Sequence, residues 1–309
     1  MRKAAMSSIY RLAKRDPRVV FIGSDLGAGT LEDMRREMPD RWFMEGVSEQ
    51  AIIGMAAGLA MEGYVPYINT IATFLTRRCY EQIAVDLCLH RLPVRLIATG
   101  GGGVYAPLGP THMAVEDLSI MRALPNMTIV APADAPEMDR VMDASLDVEG
   151  PMYVRVAKGG ERVVSIADGF ALGRSAQMKK GRDVLFVCTG VMAAHALRAT
   201  ELLAADGVDA GVLHVHTLKP FDSRGLIEAV RGVRLAVSVE EHTRIGGLGS
   251  AVAEVFAEEG IRALLMRLGF PDQFSRDYGN QDHVLGMAGL TPEALHRQVL
   301  ERLRVVVAV

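Results

Sequence analysis

The chain has 309 residues, of which half are hydrophobic and 23% charged, with a formal net charge of −3. That composition belongs to a globular protein with room for about two domains, and it excludes a disordered chain. The small negative charge gives no electrostatic footprint for nucleic acid or an anionic membrane, and no apolar run approaches the roughly 20 residues that span a bilayer.

The N-terminal segment MRKAAMSSIYRLAKRDPR is charged throughout and lacks an apolar h-region, so it is not read as a signal peptide. RVVFIGSD (18–25) reads as a buried strand. SEQAIIGMAAGLAME (48–62) reads as a helix with Ser48 as N-cap and small residues on a close-packing face. VPYINT (65–70) is a short strand, and FLTRRCYEQIAVDLCLH (74–90) has helical spacing. VRLIATG (94–100) is a strand running into glycines, VEDLSIMRALP (115–125) a helix stopped by proline, and TIVAP (128–132) and MYVRV (152–156) are strands. A polar, glycine-containing stretch begins at Lys158. Its later part, 166–182, is taken as a linker between a domain over 1–165 and one over 183–309.

The alternation then resumes. DVLFVCTG (183–190) is a strand and VMAAHALRATELLAADG (191–207) a helix closed by Gly207. DAGVLHVH (209–216), RLAVSVEE (234–241) and ALLMRLG (263–269) are strands. GGLGSAVAEVFAEEG (246–260) opens a helix after a glycine turn, and TPEALHRQVLERL (291–303) is a last helix with Thr291 as N-cap and Pro292 at its first position. The expectation is an α/β protein of two consecutive domains, each a mostly parallel sheet with helices on both faces.

Several residues carry two readings. Glu49 falls in the first turn of a very apolar helix, either as an acid favoured by the helix dipole or as an acid presented into an apolar pocket. His112 follows a Pro-Thr turn before a helix, a solvated position or a ligand contact at the carboxyl end of a strand. The GGGG run at 100–103 lacks the context of a nucleotide-binding loop; a flexible turn or lid at a site mouth fits it better than a phosphate cradle. GGLGS (246–250) is either a tight turn or an anion seat at a helix start. Phe74 and Tyr80 are core aromatics or site aromatics. Arg77, Arg78 and Arg155 are surface cations or clamps for a phosphate or carboxylate. Cys79, Cys88 and Cys188 have no CxxC spacing and no activating histidine beside them. They read as buried small hydrophobes in a reducing, cytoplasmic setting.

Taken in order, GVSEQ, TFLTRRCYEQ, GPTH, RALPNM, APAD, LKPFD, VEEH, GGLGSAV and LGFPDQF resemble the C-terminal two-thirds of transketolases and of 1-deoxyxylulose-5-phosphate synthases. The pyruvate dehydrogenase E1 β subunit is a more distant likeness. The resemblance runs from about Ala4 to Leu303 and implies a thiamine diphosphate pyrimidine-binding domain followed by a transketolase C-terminal domain. It implies that the acid matching Glu49 hydrogen-bonds N1′ of the thiamine aminopyrimidine and thereby promotes loss of the thiazolium proton. Phe74 and Tyr80 match aromatics near that ring, and His112 a histidine that contacts substrate oxygens. Arg155 and Arg77 match arginines that hold a sugar phosphate, and Asp25 an acid near the cofactor and the dimer interface.

Two departures bear on function. Leu108 stands where the family has an aspartate that reads a substrate hydroxyl, which implies an altered, less hydroxylated or bulkier substrate. The N-terminal domain that holds diphosphate and Mg²⁺ through a GDG…N motif is absent from the sequence, and Glu116, Asp117 and Asp134 read as helix-cap or surface acids rather than metal ligands. The resemblance therefore implies a β-type subunit of a split transketolase. It would transfer a two-carbon ketol unit from a ketose to an aldehyde, with a separate α-type subunit supplying the diphosphate and Mg²⁺ site in an α2β2 assembly. The alternatives are a subunit like deoxyxylulose synthase or E1 β that acts on a 2-oxo acid, or a non-catalytic regulatory subunit.

Overall fold

A computed structural model describes residues 1–24, 31–276 and 278–307. The first sheet contains β1 (Val19–Gly23), β2 (Trp42–Met44), β3 (Val65–Ile71), β4 (Arg95–Thr99), β5 (Thr128–Val130) and β6 (Met152–Val156). The second contains β7 (Ala176–Lys179), β8 (Val184–Cys188), β9 (Ala210–His214), β11 (Leu235–Thr243) and β12 (Leu264–Phe270). Between β9 and β11 the short strand β10 (Thr217–Lys219) leaves the second half and joins the edge of the first sheet. The strand orders are β10-β5-β6-β4-β3-β1-β2 and β12-β11-β8-β9-β7. All pairings are parallel except β10 on β5 and β7 on β9, so each mostly parallel sheet carries one antiparallel edge.

The parallel strands are nearly continuous apolar runs because helices cover both of their faces. Alternate residues of the first sheet enter different clusters: Phe21, Tyr67, Ile97 and Val154 face one, and Ile22, Ile68, Leu96 and Tyr153 the other. That second cluster also takes in Leu185, Val187, Leu213 and Ala236 from the second sheet, so one apolar mass lies between the two halves. Fully burying such a side chain is worth about 1.5–3 kcal/mol, which makes this shared face a principal bond between the halves.

Several expectations need correction. The segment 158–182 is not wholly connector, since β7 forms within it; AQMK is a half-buried edge strand whose polar alternation hides it in the sequence. The helix expected over 74–90 is broken into α4 (Ala72–Arg77), α5 (Tyr80–Gln82) and a π-helical run Ile83–Leu89, in a chain where α1 is Arg2–Arg15, α2 Glu32–Glu37 and α3 Glu49–Met61. Two local bonds account for the break. Thr76 Oγ1 donates back to the Ala72 carbonyl at 2.8 Å, and Gln50 Nε2 donates to the Arg78 carbonyl at 2.9 Å. Ser48 precedes α3 but does not cap it; its hydroxyl donates to the Glu45 carbonyl at 2.7 Å. Helix α1, not assigned from the sequence, buries Ala5, Met6, Ile9, Leu12 and Ala13 and packs on α7 (Ala135–Ser145), which follows α6 (Asp117–Arg122).

The second half adds α8 (Met192–Ala205), α9 (Ser223–Ala229), α10 (Leu248–Glu258), α11 (Gln281–Met287) and α12 (Pro292–Val307). No helix among the described residues is long and apolar enough to cross a membrane.

Candidate active site

Glu49 is the first residue of α3 and only 3% exposed, on a helix whose other buried positions are Ile52, Ile53, Ala56, Ala57 and Ala60. Its carboxylate is not left alone. Oε2 accepts from Arg78 Nη1 at 3.0 Å, and Oε1 accepts from Thr70 Oγ1, on β3, at 3.5 Å. The Arg78 guanidinium also lies over the Phe74 ring, 4.2 Å from its centroid. Phe74 meets the imidazole of His112 edge-on, with centroids 5.1 Å apart.

Chain order explains why these four residues converge. Helix α4 begins at the residue after β3 ends, so Phe74 stands over the carboxyl end of that strand. His112 lies in the loop that follows β4, the neighbour of β3 in the sheet. Thr73 Oγ1 donates to the His112 carbonyl at 2.9 Å and fixes the loop against α4, and Thr111 Oγ1 shares a 2.9 Å hydrogen bond with His112 Nδ1. The carboxyl ends of parallel strands are where open α/β sheets bind ligands.

The other expected site residues fall in different places. Arg77 is spent on the His112 loop: it pairs with Glu116 and donates to the carbonyls of Pro110 at 3.3 Å and Met113 at 3.1 Å. Tyr80 lies beyond the helix break and lines a groove with Ile120, Ile245 and Phe274. Leu108 is exposed at the end of a short 3-10 turn, next to Gly109, where φ is +80° and an added Cβ would collide with the ring of Tyr278. Asp25 lies outside the described residues.

Arg155 is tied into the protein's own charge network. It is buried, with two of its nitrogens engaged inside the protein: Nε donates to Asp117 at 2.9 Å, and Nη2 to Asp117 at 3.0 Å, the Ala114 carbonyl at 2.8 Å and the Glu241 carbonyl at 3.0 Å. Asp117 is accordingly no surface acid; it also accepts from Tyr153 Oη at 2.7 Å. Asp134 does cap α7, accepting from the Glu137 amide at 3.0 Å.

The glycine run is neither lid nor phosphate cradle. Gly100–Gly103 is buried, a Cβ on Gly101 would collide with Arg155 and one on Gly102 with Glu241, and the Gly103 amide donates to Glu241 Oε1 at 2.8 Å. Only glycine lets the β4 turn approach the second half this closely. Burial pushes the Glu241 carboxyl above the ordinary range, against the pull of the Arg155 charge. At GGLGS the anion at the helix start is the chain's own: Glu240 accepts from the Leu248 amide at 2.7 Å and the Gly249 amide at 2.8 Å. Cys79, Cys88 and Cys188 are buried free thiols, with burial pushing the first two up to about 12 and about 11. Among the described residues no three His, Cys, Asp or Glu side chains are grouped to hold a metal ion.

Residues 1–162 match the family described as transketolase, pyrimidine binding domain, and residues 173–295 that described as transketolase, C-terminal domain. The chain belongs to the transketolase family. It is 34% identical over 308 residues to a putative transketolase C-terminal section of Methanocaldococcus jannaschii, covering 98% of this chain and 96% of that one. It is also 34% identical to a 6-deoxy-6-sulfo-D-fructose transketolase subunit of a Clostridium species, covering 97% and 94%. Among solved structures it is similar to a chain described as a split gene transketolase in an inactive β4 tetramer, with a TM-score of 0.89, 36% identity and 97% of each chain covered. Within this family frame, the residue whose place the sequence left open is Arg78. The Arg-Arg pair in TFLTRRCYEQ is visible, but nothing in it says that the second arginine, and not the first, turns to Glu49.

Proposed function

We propose that this chain is the C-terminal, β-type subunit of a split thiamine-diphosphate-dependent transketolase, and that it transfers a two-carbon ketol unit from a phosphorylated ketose to an aldehyde in concert with an N-terminal α-type subunit. The observation that carries the proposal is Glu49: a buried carboxylate joined through Arg78 to the Phe74 ring, which in turn meets the His112 imidazole, at the carboxyl ends of β3 and β4. The place fits a thiamine aminopyrimidine on the protein's own terms. The planar guanidinium of Arg78 already lies over Phe74 with a donor on Glu49, so a flat ring whose nitrogen shares a proton with Glu49 has both partners there.

When bound, thiamine diphosphate would supply an electron sink for cleaving the bond next to a carbonyl. Glu49 supplies a buried oxygen that shares a proton with a ring nitrogen, and Phe74 supplies a stacking face. His112, with Nδ1 engaged by Thr111, has Nε2 left to meet a substrate oxygen. The diphosphate and Mg²⁺ would be held mainly by the partner subunit, with assembly as α2β2 in the cytoplasm. Leu108 offers no hydrogen bond where the family reads a hydroxyl. Because the Clostridium relative is described by a sulfonated sugar, the substrate panel should pair phosphorylated with sulfonated ketoses.

The test is a mild affinity purification of the tagged chain from its own cells, followed by native mass spectrometry and turnover assays. A stoichiometric second chain with bound thiamine diphosphate and Mg²⁺ is expected. In that complex Glu49→Gln should lower kcat by about 10²-fold or more. Full activity of Glu49→Gln would point to a regulatory subunit, and pyruvate decarboxylation without ketol transfer to the oxo-acid branch.

A further inference from the structure

We propose that Arg78 is a built-in stand-in for the aminopyrimidine: its guanidinium lies over Phe74 and against Glu49 where the ring would sit, and must swing out for the cofactor ring to enter. The inference rests on the thiamine-site reading of Glu49 and Phe74.

Three observations carry it. The first is shape and charge. The guanidinium is flat, lies over the Phe74 ring 4.2 Å from its centroid and points Nη1 at Glu49 Oε2 at 3.0 Å, which are the two contacts the site offers a planar ring whose nitrogen shares a proton with Glu49. The second is need. Glu49 is 3% exposed and its other partner, Thr70, is a weak one at 3.5 Å, so without Arg78 a nearly buried carboxylate would stand almost unpaired. The third is freedom to leave. The Arg78 side chain is 45% exposed and donates to Glu49, whereas the neighbouring Arg77 is committed to three acceptors. The Arg78 main chain is pinned by Gln50 at the break between α4 and α5, so the side chain can rotate without unwinding either helix.

The consequence is a competition. Ligand binds only the fraction of molecules in which Arg78 has swung away, and the apparent affinity falls by that fraction. One half-exposed ion pair and one cation–π contact together favour the closed form by on the order of tenfold.

The test uses the full-length chain and, as probe, the free aminodimethylpyrimidine half of thiamine, which carries neither the thiazolium charge nor the diphosphate. It therefore reports on this pocket and not on the partner's site. Dissociation constants are measured by ligand-observed NMR for wild type, Arg78→Ala, Arg78→Lys and Glu49→Gln, each first checked for a cooperative melt. Arg78→Ala should bind about tenfold more tightly than wild type. Arg78→Lys should fall between them, since it keeps the charge and loses the plane. Raising the salt should move wild type towards Arg78→Ala as the ion pair is screened. If Arg78→Ala binds the probe equally or more weakly, the stand-in is overturned and the thiamine site survives. If no variant binds the probe, or if Glu49→Gln leaves binding untouched, the thiamine-site reading is overturned and the stand-in with it.

Discussion

Arg155 and Asp117 form a paired charge inside the protein, 38 positions apart in sequence. A buried pair of this kind is weak support for stability as a whole, but breaking it strands the remaining charge at a cost of about 3–5 kcal/mol. Arg155→Met is therefore expected to lower unfolding free energy by that order, measured by denaturant titration at constant m. A phosphate clamp would behave differently: KM for a phosphorylated donor would rise and the melt would not move. Residue-scale legibility divides along the same line. Glu49, Phe74 and His112 could be nominated because each sits in a motif with its own chemistry, and the fold brings them together through β3, α4 and the loop after β4. A lone arginine in MYVRV carries no sign that an aspartate on α6 will face it.

At the scale of elements, the start of α10 shows how one strand prepares the next helix. Glu240 on β11 accepts two amides of the first turn of α10, and a Cβ on Gly247 or Gly249 would intrude on that carboxylate. Removing its charge with Glu240→Gln weakens two charge-assisted bonds at a helix N-terminus, and a loss of about 2 kcal/mol is expected in the same titration. Early amide exchange in the first turn of α10 would confirm the place of the loss. The long apolar strands were legible because burial on both faces writes itself as an unbroken run, as in VLFVC and AGVLH. The short ones were not: TLK is three residues with a lysine, and its pairing partner lies in the other half of the chain. The break after α4 was hidden because Thr76 and Gln50 act on the backbone without disturbing the apolar spacing of 74–90.

For the whole molecule, the seam between the halves carries a titrating pair as well as an apolar face. His214 on β9 is buried and meets Glu137 on α7 at 2.9 Å. Burial works against its charge, but Glu137 prevails and holds the imidazole up at about 10, while burial pushes neighbouring His216 down to about 4. The folded chain thus holds the His214 proton more tightly than the unfolded chain does. Its contribution is complete below the ordinary imidazole value near 6.5 and is lost as pH rises towards about 10. Melting temperature should fall across that alkaline window, and His214→Gln should flatten the slope while lowering the neutral-pH value. A slope unchanged by His214→Gln would place the proton elsewhere.

Strand β10 has a consequence for inheritance. It lies in the second half of the sequence yet completes the first sheet, with Thr217 opposite Val130 and Lys219 opposite Ile129, and Lys219 Nζ reaches back to the carbonyls of Arg122 at 2.9 Å and Leu124 at 2.5 Å. A recombination joint placed between the halves would hand the first sheet a foreign edge, or leave β5 with a bare one open to stray pairing. Shuffling should therefore pass these two domains on as a single cassette. Chimaeras that exchange the second half between relatives should survive only where the donor brings a compatible β10.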